Sequence, residues 1–351
     1  MRLHSAALVT VSALLVCGPA NAAQKVLGEA ADSDFDVVTT VGTTRTASFS
    51  GISDPVTGIG LSARFTLVTG DTGGGTGPWA LDVIMSGQSP ASLVSSPFNP
   101  IGGDVTIADF PLQNGARVYG AGEVGDGMWS FIFNSSSPQA GWTYGLRNVT
   151  HYLLGDAPDV STMFDATPVL GQEWDRPYFI EGISGQGPCD YHVTAFTVDT
   201  SGVYNLSSVL PSGSNHFTFL YENSFDPQDQ LTDLLNYGLG NGFAQNGDPQ
   251  GTSSFDSILI EGRTYYWITS QWAFFSTIET ANNSIVGPGA ITVLAPCQAD
   301  LNGDGVVDTA DLGLLIAQFG TPGTGADLNN DNIVDTADLG ILIGEFGAVC
   351  P

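Results

Sequence analysis

The sequence predicts a mainly β protein: one or two antiparallel β-sandwich or jelly-roll domains, followed by a small α-helical module. Three observations predict it. Apolar and polar residues alternate along most of the chain, glycine is abundant at 45 of 351 residues, and a 21-residue segment near the C-terminus is repeated once.

The alternation comes first. Ile59, Leu61, Ala63, Phe65 and Leu67 interleave with Gly60, Ser62, Arg64 and Thr66. Trp79, Leu81, Val83 and Met85 follow the same period of two, as do Trp129, Phe131 and Phe133. Side chains on a strand point alternately to opposite faces, so this pattern marks half-buried strands of an antiparallel sheet. Turn clusters such as Gly70–Gly75 and Asp126-Gly127 separate the runs. A composition break near residues 155–190 suggests a second unit, with strands at 191–198, 203–206, 217–221, 257–260 and 265–269 and a turn at Glu261-Gly262-Arg263. Gly287-Pro288-Gly289 and Pro296 read as the exit to a linker. The expected division is 1–22, 23–165, 166–295 and 296–351, with a single large sandwich over the middle two as the rival.

The first segment reads as a removable address. Arg2 and His4 precede an apolar run from Ala6 to Val16, and Ala20-Asn21-Ala22 supplies an Ala-x-Ala cleavage site. A bilayer span needs about 20 apolar residues, and neither this run nor any later one is long enough. A secreted, extracellular or cell-surface protein is therefore expected. Loss of that segment removes Cys17 and leaves Cys189, Cys297 and Cys350. Cys297 and Cys350 bracket the terminal module and are paired here, leaving Cys189 free; a bridge through Cys189 is the alternative.

Charge excludes several functions. Lysine and arginine total 8 against 36 aspartates and glutamates, a formal charge of −28. Such a surface repels phosphate backbones, so no nucleic-acid partner is expected. It suits divalent cations.

The repeat shows where those cations bind. Asp300–Gly320 reads DLNGDGVVDTADLGLLIAQFG and Asp327–Gly347 reads DLNNDNIVDTADLGILIGEFG, with 15 of 21 positions identical. Oxygen ligands fall at positions 1, 3, 5, 9 and 12 of a twelve-residue loop. They are Asp300, Asn302, Asp304, Asp308 and Asp311, with the Val306 carbonyl at position 7. The second set is Asp327, Asn329, Asp331, Asp335 and Asp338, with the Ile333 carbonyl. A loop coiled around a hard cation needs this alternation, and an all-oxygen set predicts two Ca²⁺ ions rather than zinc. Each loop crowds four carboxylates with no Lys or Arg in the module, so ion binding and folding should be coupled. Gly305 holds the sharp-turn position 6, whereas Asn332 stands there in the second loop.

A helix should follow each loop. Leu312, Leu315, Ile316 and Phe319 fall at i, i+3, i+4 and i+7, as do Leu339, Leu342, Ile343 and Phe346. The two stripes are expected to pack on each other, with Gly320 and Gly347 ending the helices. The helix that would precede an EF-hand loop is missing. One loop plus one helix, present twice in about 55 residues, resembles a dockerin of type I. That resemblance implies a cohesin-type partner, read through loop positions 10 and 11, here Thr309-Ala310 and Thr336-Ala337. Thr-Ala departs from the hydroxyl pair the family prefers. Residues 190–290 resemble, more diffusely, bacterial pre-peptidase C-terminal β-sandwiches, through Phe196–Tyr204, Tyr221–Pro227 and Ser253–Tyr266; these are non-catalytic accessory modules.

Motifs of catalysis are lacking. There is no Gly-x-Ser-x-Gly elbow or His-Glu-x-x-His helix, and no residue is assigned a catalytic role. Glu173, Asp175 and Glu181 are the acids that a glycosidase reading would use. Trp79, Trp129, Trp142, Trp174, Trp267 and Trp272 could stack on sugars, although alternation around Trp129 favours the core. The expectation is an exported calcium-binding protein that docks to a cohesin-type partner, its sandwiches binding glycans in extracellular polysaccharide breakdown or surface assembly. The alternatives are an O-glycosyl hydrolase carried by the same module, and a structural protein with a calcium-stabilised cap.

Overall fold

A computed structural model describes residues 23–38, 43–69, 81–86, 110–117, 126–135, 143–177, 182–241, 248–294, 298–302, 307–322, 325–329 and 331–347. The expected signal segment, Trp79, Trp142, Glu181, Cys297 and Cys350 with their proposed disulfide, and Asp304 and Val306 lie outside these residues.

Strands dominate, as expected. The first half contributes β1 (Ala23–Ala31), β2 (Phe35–Val38), β3 (Thr43–Phe49), β4 (Gly58–Thr69), β5 (Leu81–Ser86), β6 (Phe110–Arg117), β7 (Gly127–Ser135) and β8 (Thr143–Ala157). The second contributes β9 (Val160–Ala166), β10 (Glu173–Trp174), β11 (Cys189–Val198), β12 (Gly202–Val209), β13 (His216–Glu222), β14 (Leu234–Leu239), β15 (Thr252–Leu259), β16 (Thr264–Gln271), β17 (Ala281–Gly287) and β18 (Ile291–Val293). Two helices close the chain, α1 (Thr309–Ala317) and α2 (Thr336–Glu345).

Among the described residues, one nine-stranded sheet runs β6-β4-β8-β1-β12-β17-β9, with β15 also on β12 and β2 on β8. A six-stranded sheet runs β10-β11-β16-β13-β14, with β18 on β11, and β3-β7-β5 form a third. Every ladder between named strands is antiparallel. The large sheet crosses between the halves at a narrow seam, where β1 meets β12 only at Gln24↔Val203 and Lys25↔Gly202. Tyr152, Leu154 and Ile258 are buried there against Val26, Val203 and Ile260. Strand β9 lies at the expected boundary and pairs with β17, far along the chain.

Period-two burial explains the inner faces. In β12, Gly202, Tyr204, Leu206 and Ser208 point in while their neighbours are half-exposed. Tyr204 and Leu206 meet Leu220, Phe255, Trp267 and Ile285 between the two sheets. Strand β16 departs from the pattern, being buried from Tyr265 through Gln271. Its outer face carries Tyr266 and Ile268, which join a second core with Trp174, Tyr191, Phe217, Phe219 and Tyr221. Trp174 and Phe225 cover that face from flanking segments, their rings 5.5 Å apart.

One expectation needs correction here. Gly287-Pro288-Gly289 is no linker: β18 follows it and pairs with β11, and Asp199 N donates to Ala290 O at 3.1 Å. The loop glycines are pressed against the sandwich, with a side chain at Gly289 meeting Asp199 and Thr200. Trp129, Trp174 and Trp267 are buried to 2% exposure or less and cannot stack on a ligand. Cys189 is a free thiol with no exposed surface, and burial raises its pKa.

Candidate metal centre and docking module

The C-terminal repeat builds a small unit of near-twofold design. Each helix starts at an aspartate in extended conformation, Asp308 and Asp335, whose side chains accept from Ala310 N and Ala337 N, both at 2.7 Å. The reciprocal half of each capping box comes from the third helical residue. Asp311 accepts from Asp308 N at 2.8 Å, and Asp338 accepts from Asp335 N at 2.7 Å. These caps satisfy donors that a helix start leaves unpaired.

Asp311 and Asp338 also reach back to the beginning of their loops. Asp311 Oδ1 accepts from Leu301 N at 2.8 Å and Asn302 N at 3.1 Å. Asp338 Oδ1 accepts from Leu328 N at 2.7 Å and Asn329 N at 3.1 Å. Both residues are fully buried. Burial pushes their carboxyl pKa up, but three or more backbone N–H donors outweigh it, and the net shift is downward. The position-12 carboxylates are thus anionic staples closing each loop onto its helix.

The second loop is described almost whole. Asp327 accepts from Asp331 N at 3.1 Å and Asn332 N at 2.8 Å, Asn329 Oδ1 from Asp331 N at 3.0 Å, and Asp331 Oδ1 from Ile333 N at 3.0 Å. Asn332 takes φ +72°, the left-handed turn that glycine fills in the first loop's pattern and asparagine tolerates. Side chains at positions 1, 3 and 5 therefore converge on the same stretch of backbone. Asn329 Nδ2 donates to Asp331 Oδ2 at 2.9 Å, so that oxygen is taken by an amide. Among the described residues no three His, Cys, Asp or Glu side chains meet as a ready metal cluster. The donor chemistry nonetheless fits a hard cation: it is all oxygen, with no thiolate, imidazole or competing ammonium.

The two halves hold each other. Gly320 N donates to Val334 O at 2.7 Å, and Gly347 N donates to Val307 O at 2.8 Å. These bonds are exchanged by the 27-residue offset of the repeat. Both glycines have left-handed φ, +80° and +85°, beyond the helix ends. The core comprises Ala299, Val307, Leu315, Ala326, Leu328, Val334 and Leu342, with Leu301, Leu312, Leu339 and Ile341 packed against it.

That core corrects the expected helix packing. Leu315 and Leu342 are buried and Leu312 and Leu339 half-buried, but Ile316 and Phe319 are 59% and 46% exposed. Ile343 and Phe346 match them at 61% and 48%. Loop residues Val307 and Val334 fill the space these side chains were expected to take. Each helix therefore carries an outward apolar face. Thr309, Ala310, Thr336 and Ala337 are exposed at the first turns of the same helices.

Of the acids in the glycosidase reading, Glu173 and Asp175 are exposed. His216 is buried and paired with Ser208 at 3.0 Å, and His151 is buried between Asp32 and the ring of Phe131. The exposed pair Phe274-Phe275 was not singled out from sequence; two adjacent aromatics without alternation were its only signal.

The family model of the dockerin type I domain matches residues 298–347, and this stretch is a dockerin type I domain. No curated protein matches the chain. Among solved structures, the N-terminal CBM22-1-CBM22-2 tandem domain from Paenibacillus barcinonensis Xyn10C aligns with 79% of this chain and 100% of its own, at 12% identity and a TM-score of 0.22. N-glycanase F (PNGase F) aligns with 75% of this chain and 100% of its own, at 10% identity and a TM-score of 0.20. Likenesses this distant carry no argument about ligands. Among the described residues, no helix is long and apolar enough to cross a membrane.

Proposed function

We propose that this protein is exported and attached to a cohesin-type partner through its calcium-ordered dockerin, with the β region as the delivered part. The carrying observation is the pair of equivalent helix faces. Ile316 with Phe319 and Ile343 with Phe346 stand in water, while Val307 and Val334 fill the core beside them. Large exposed apolar side chains repeated by internal symmetry are costly unless a partner covers them.

Two Ca²⁺ ions organise these faces. The first is held by Asp300, Asn302, Asp304, Asp308, Asp311 and the Val306 carbonyl. The second is held by Asp327, Asn329, Asp331, Asp335, Asp338 and the Ile333 carbonyl. A bound ion cancels the mutual repulsion of four carboxylates per loop. Backbone N–H donors fix the carboxylates of Asp311 and Asp338 at position 12 of each loop, where they would help hold the ion. Thr309-Ala310 and Thr336-Ala337 read the partner at the rim of each face. Because the faces are equivalent, either can engage, in two orientations.

Calorimetry of the full chain tests this. Calcium should bind at two sites, and a matching cohesin should bind only when calcium is present. Replacing Ile316 and Phe319 by alanine, or Ile343 and Phe346, should leave one usable face and weaken binding little. Replacing all four should abolish it. A chain that binds calcium but ignores every cohesin offered would reduce the module to a structural cap.

A further inference from the structure

At the end of the second-half sandwich where β16 stops, two phenylalanines stand in water side by side. Phe274 and Phe275 are 62% and 70% exposed, their rings 5.2 Å apart and edge to face. The turn that carries them is pinned. Ser276 N donates to Ala273 O at 2.9 Å, Ala273 N to Ser276 Oγ at 3.2 Å, and Phe274 N to Gln186 O at 3.0 Å.

A neighbouring turn presents Leu170, 82% exposed. Buried polar side chains tie the two turns together. Gly171 N donates to Asp190 Oδ1 at 2.9 Å, Asp190 N to Gln271 Oε1 at 2.9 Å, and Gln271 Nε2 to Ser276 O at 2.7 Å. Asp190 and Gln271 are themselves 7% and 6% exposed. Burying an acid and an amide is costly. Here the result is to hold apolar residues outward, which folding alone does not require. The exposed carboxylate of Asp175 packs against Gly187, next to the Gln186 that anchors Phe274.

We propose that the Phe274-Phe275 turn is a stacking platform for a neutral polysaccharide, with Asp175 accepting hydrogen bonds from sugar hydroxyls. It rests on the reading of the β region as the delivered part of a docked protein and gives that part a ligand. The formal charge of −28 disfavours polyanions and anionic lipid surfaces. Two rings and a leucine fall well short of the roughly 1,000 Å² that a stable protein interface needs. A sugar offers a C–H face to a phenyl ring and a hydroxyl rim to a carboxylate, which are the two chemistries present. Aromatic side chains bring large contact area with few torsions to freeze.

The test is retention of the calcium-loaded full chain on insoluble cellulose, xylan, β-1,3-glucan and chitin. Retention on at least one is expected, weakened tenfold or more by Phe274→Ala/Phe275→Ala and less by Asp175→Ala. Phe275→Trp, which keeps a ring face, should retain binding where Phe275→Ala loses it, so a folding defect cannot mimic the result. No retention on any polymer, or retention indifferent to these changes, overturns the proposal. Co-sedimentation with phosphatidylcholine vesicles, or dimerisation by light scattering, that vanishes in the double variant would assign the patch to lipid or a second copy and equally overturn it. Docking is measured separately on the same preparations: the four-alanine helix variant should lose cohesin and keep the polysaccharide.

Discussion

Acid should unfold the β region through His216. This imidazole is 1% exposed at the start of β13, with Nε2 on the Ser208 hydroxyl. Burial outweighs its hydrogen bonds and Glu279, and lowers its pKa from 6.5 to about 4. Between those values the unfolded chain takes up a proton that the folded chain refuses. Stability is therefore fully present above pH 6.5 and falls as pH drops toward 4. At 1.36 kcal/mol per pH unit, the difference of 2.5 corresponds to about 3 kcal/mol. Urea unfolding followed by tryptophan fluorescence isolates the effect, because all six tryptophans precede the dockerin. His216→Gln keeps a donor near Ser208 and cannot titrate. Carboxylates also titrate toward the low end, so the quantity to compare is the wild-type slope minus the variant slope between about pH 7 and 4.5. Equal slopes would refute the reasoning.

Other outcomes follow from neighbouring geometry. Leu342→Ala empties a fully buried site and should cost about 2–5 kcal/mol of dockerin stability, whereas Ile343→Ala, at 61% exposure, should stay within about 0.5 kcal/mol; helical circular dichroism during melting separates them. Asp338→Ala strips the acceptor from three backbone N–H groups and, on the proposed reading, one ligand of the second calcium site. Calorimetry should then count one ion instead of two. In the first half, the Arg45 guanidinium holds Asp32 at a pKa of about 2, against burial and with help from His151. Arg45→Met should lower the urea midpoint at neutral pH by the equivalent of about 1–2 kcal/mol. In the wild type that contribution is present above pH 3.8 and lost as pH falls toward 2, a loss the variant should not show.

The dockerin was legible because its loop-and-helix unit fixes both residue type and spacing, and the duplication repeats the signal. The helix stripes were only half legible. Apolar residues at i, i+3, i+4 and i+7 cannot distinguish a face turned to the core from one turned to a partner. What decided it was loop residues Val307 and Val334 entering the core, which helical periodicity does not register. In the β region, alternation located β4, β5 and β7 as strands. The strand expected at 265–269 is present as β16, but its second buried face was not legible, because Trp174 and Phe225 arrive from distant segments to cover it. The pairing of β9 with β17 and of β1 with β12 was invisible for a related reason: long-range partners leave no local pattern.

The crossed Gly320–Val334 and Gly347–Val307 bonds make each repeat's exit depend on the other repeat's loop. Each half is therefore steadied by the other. The first ion to arrive should straighten the backbone that receives the second, so loading should be sigmoidal in metal concentration. Damage to one loop should then be felt at the helix face of the other repeat.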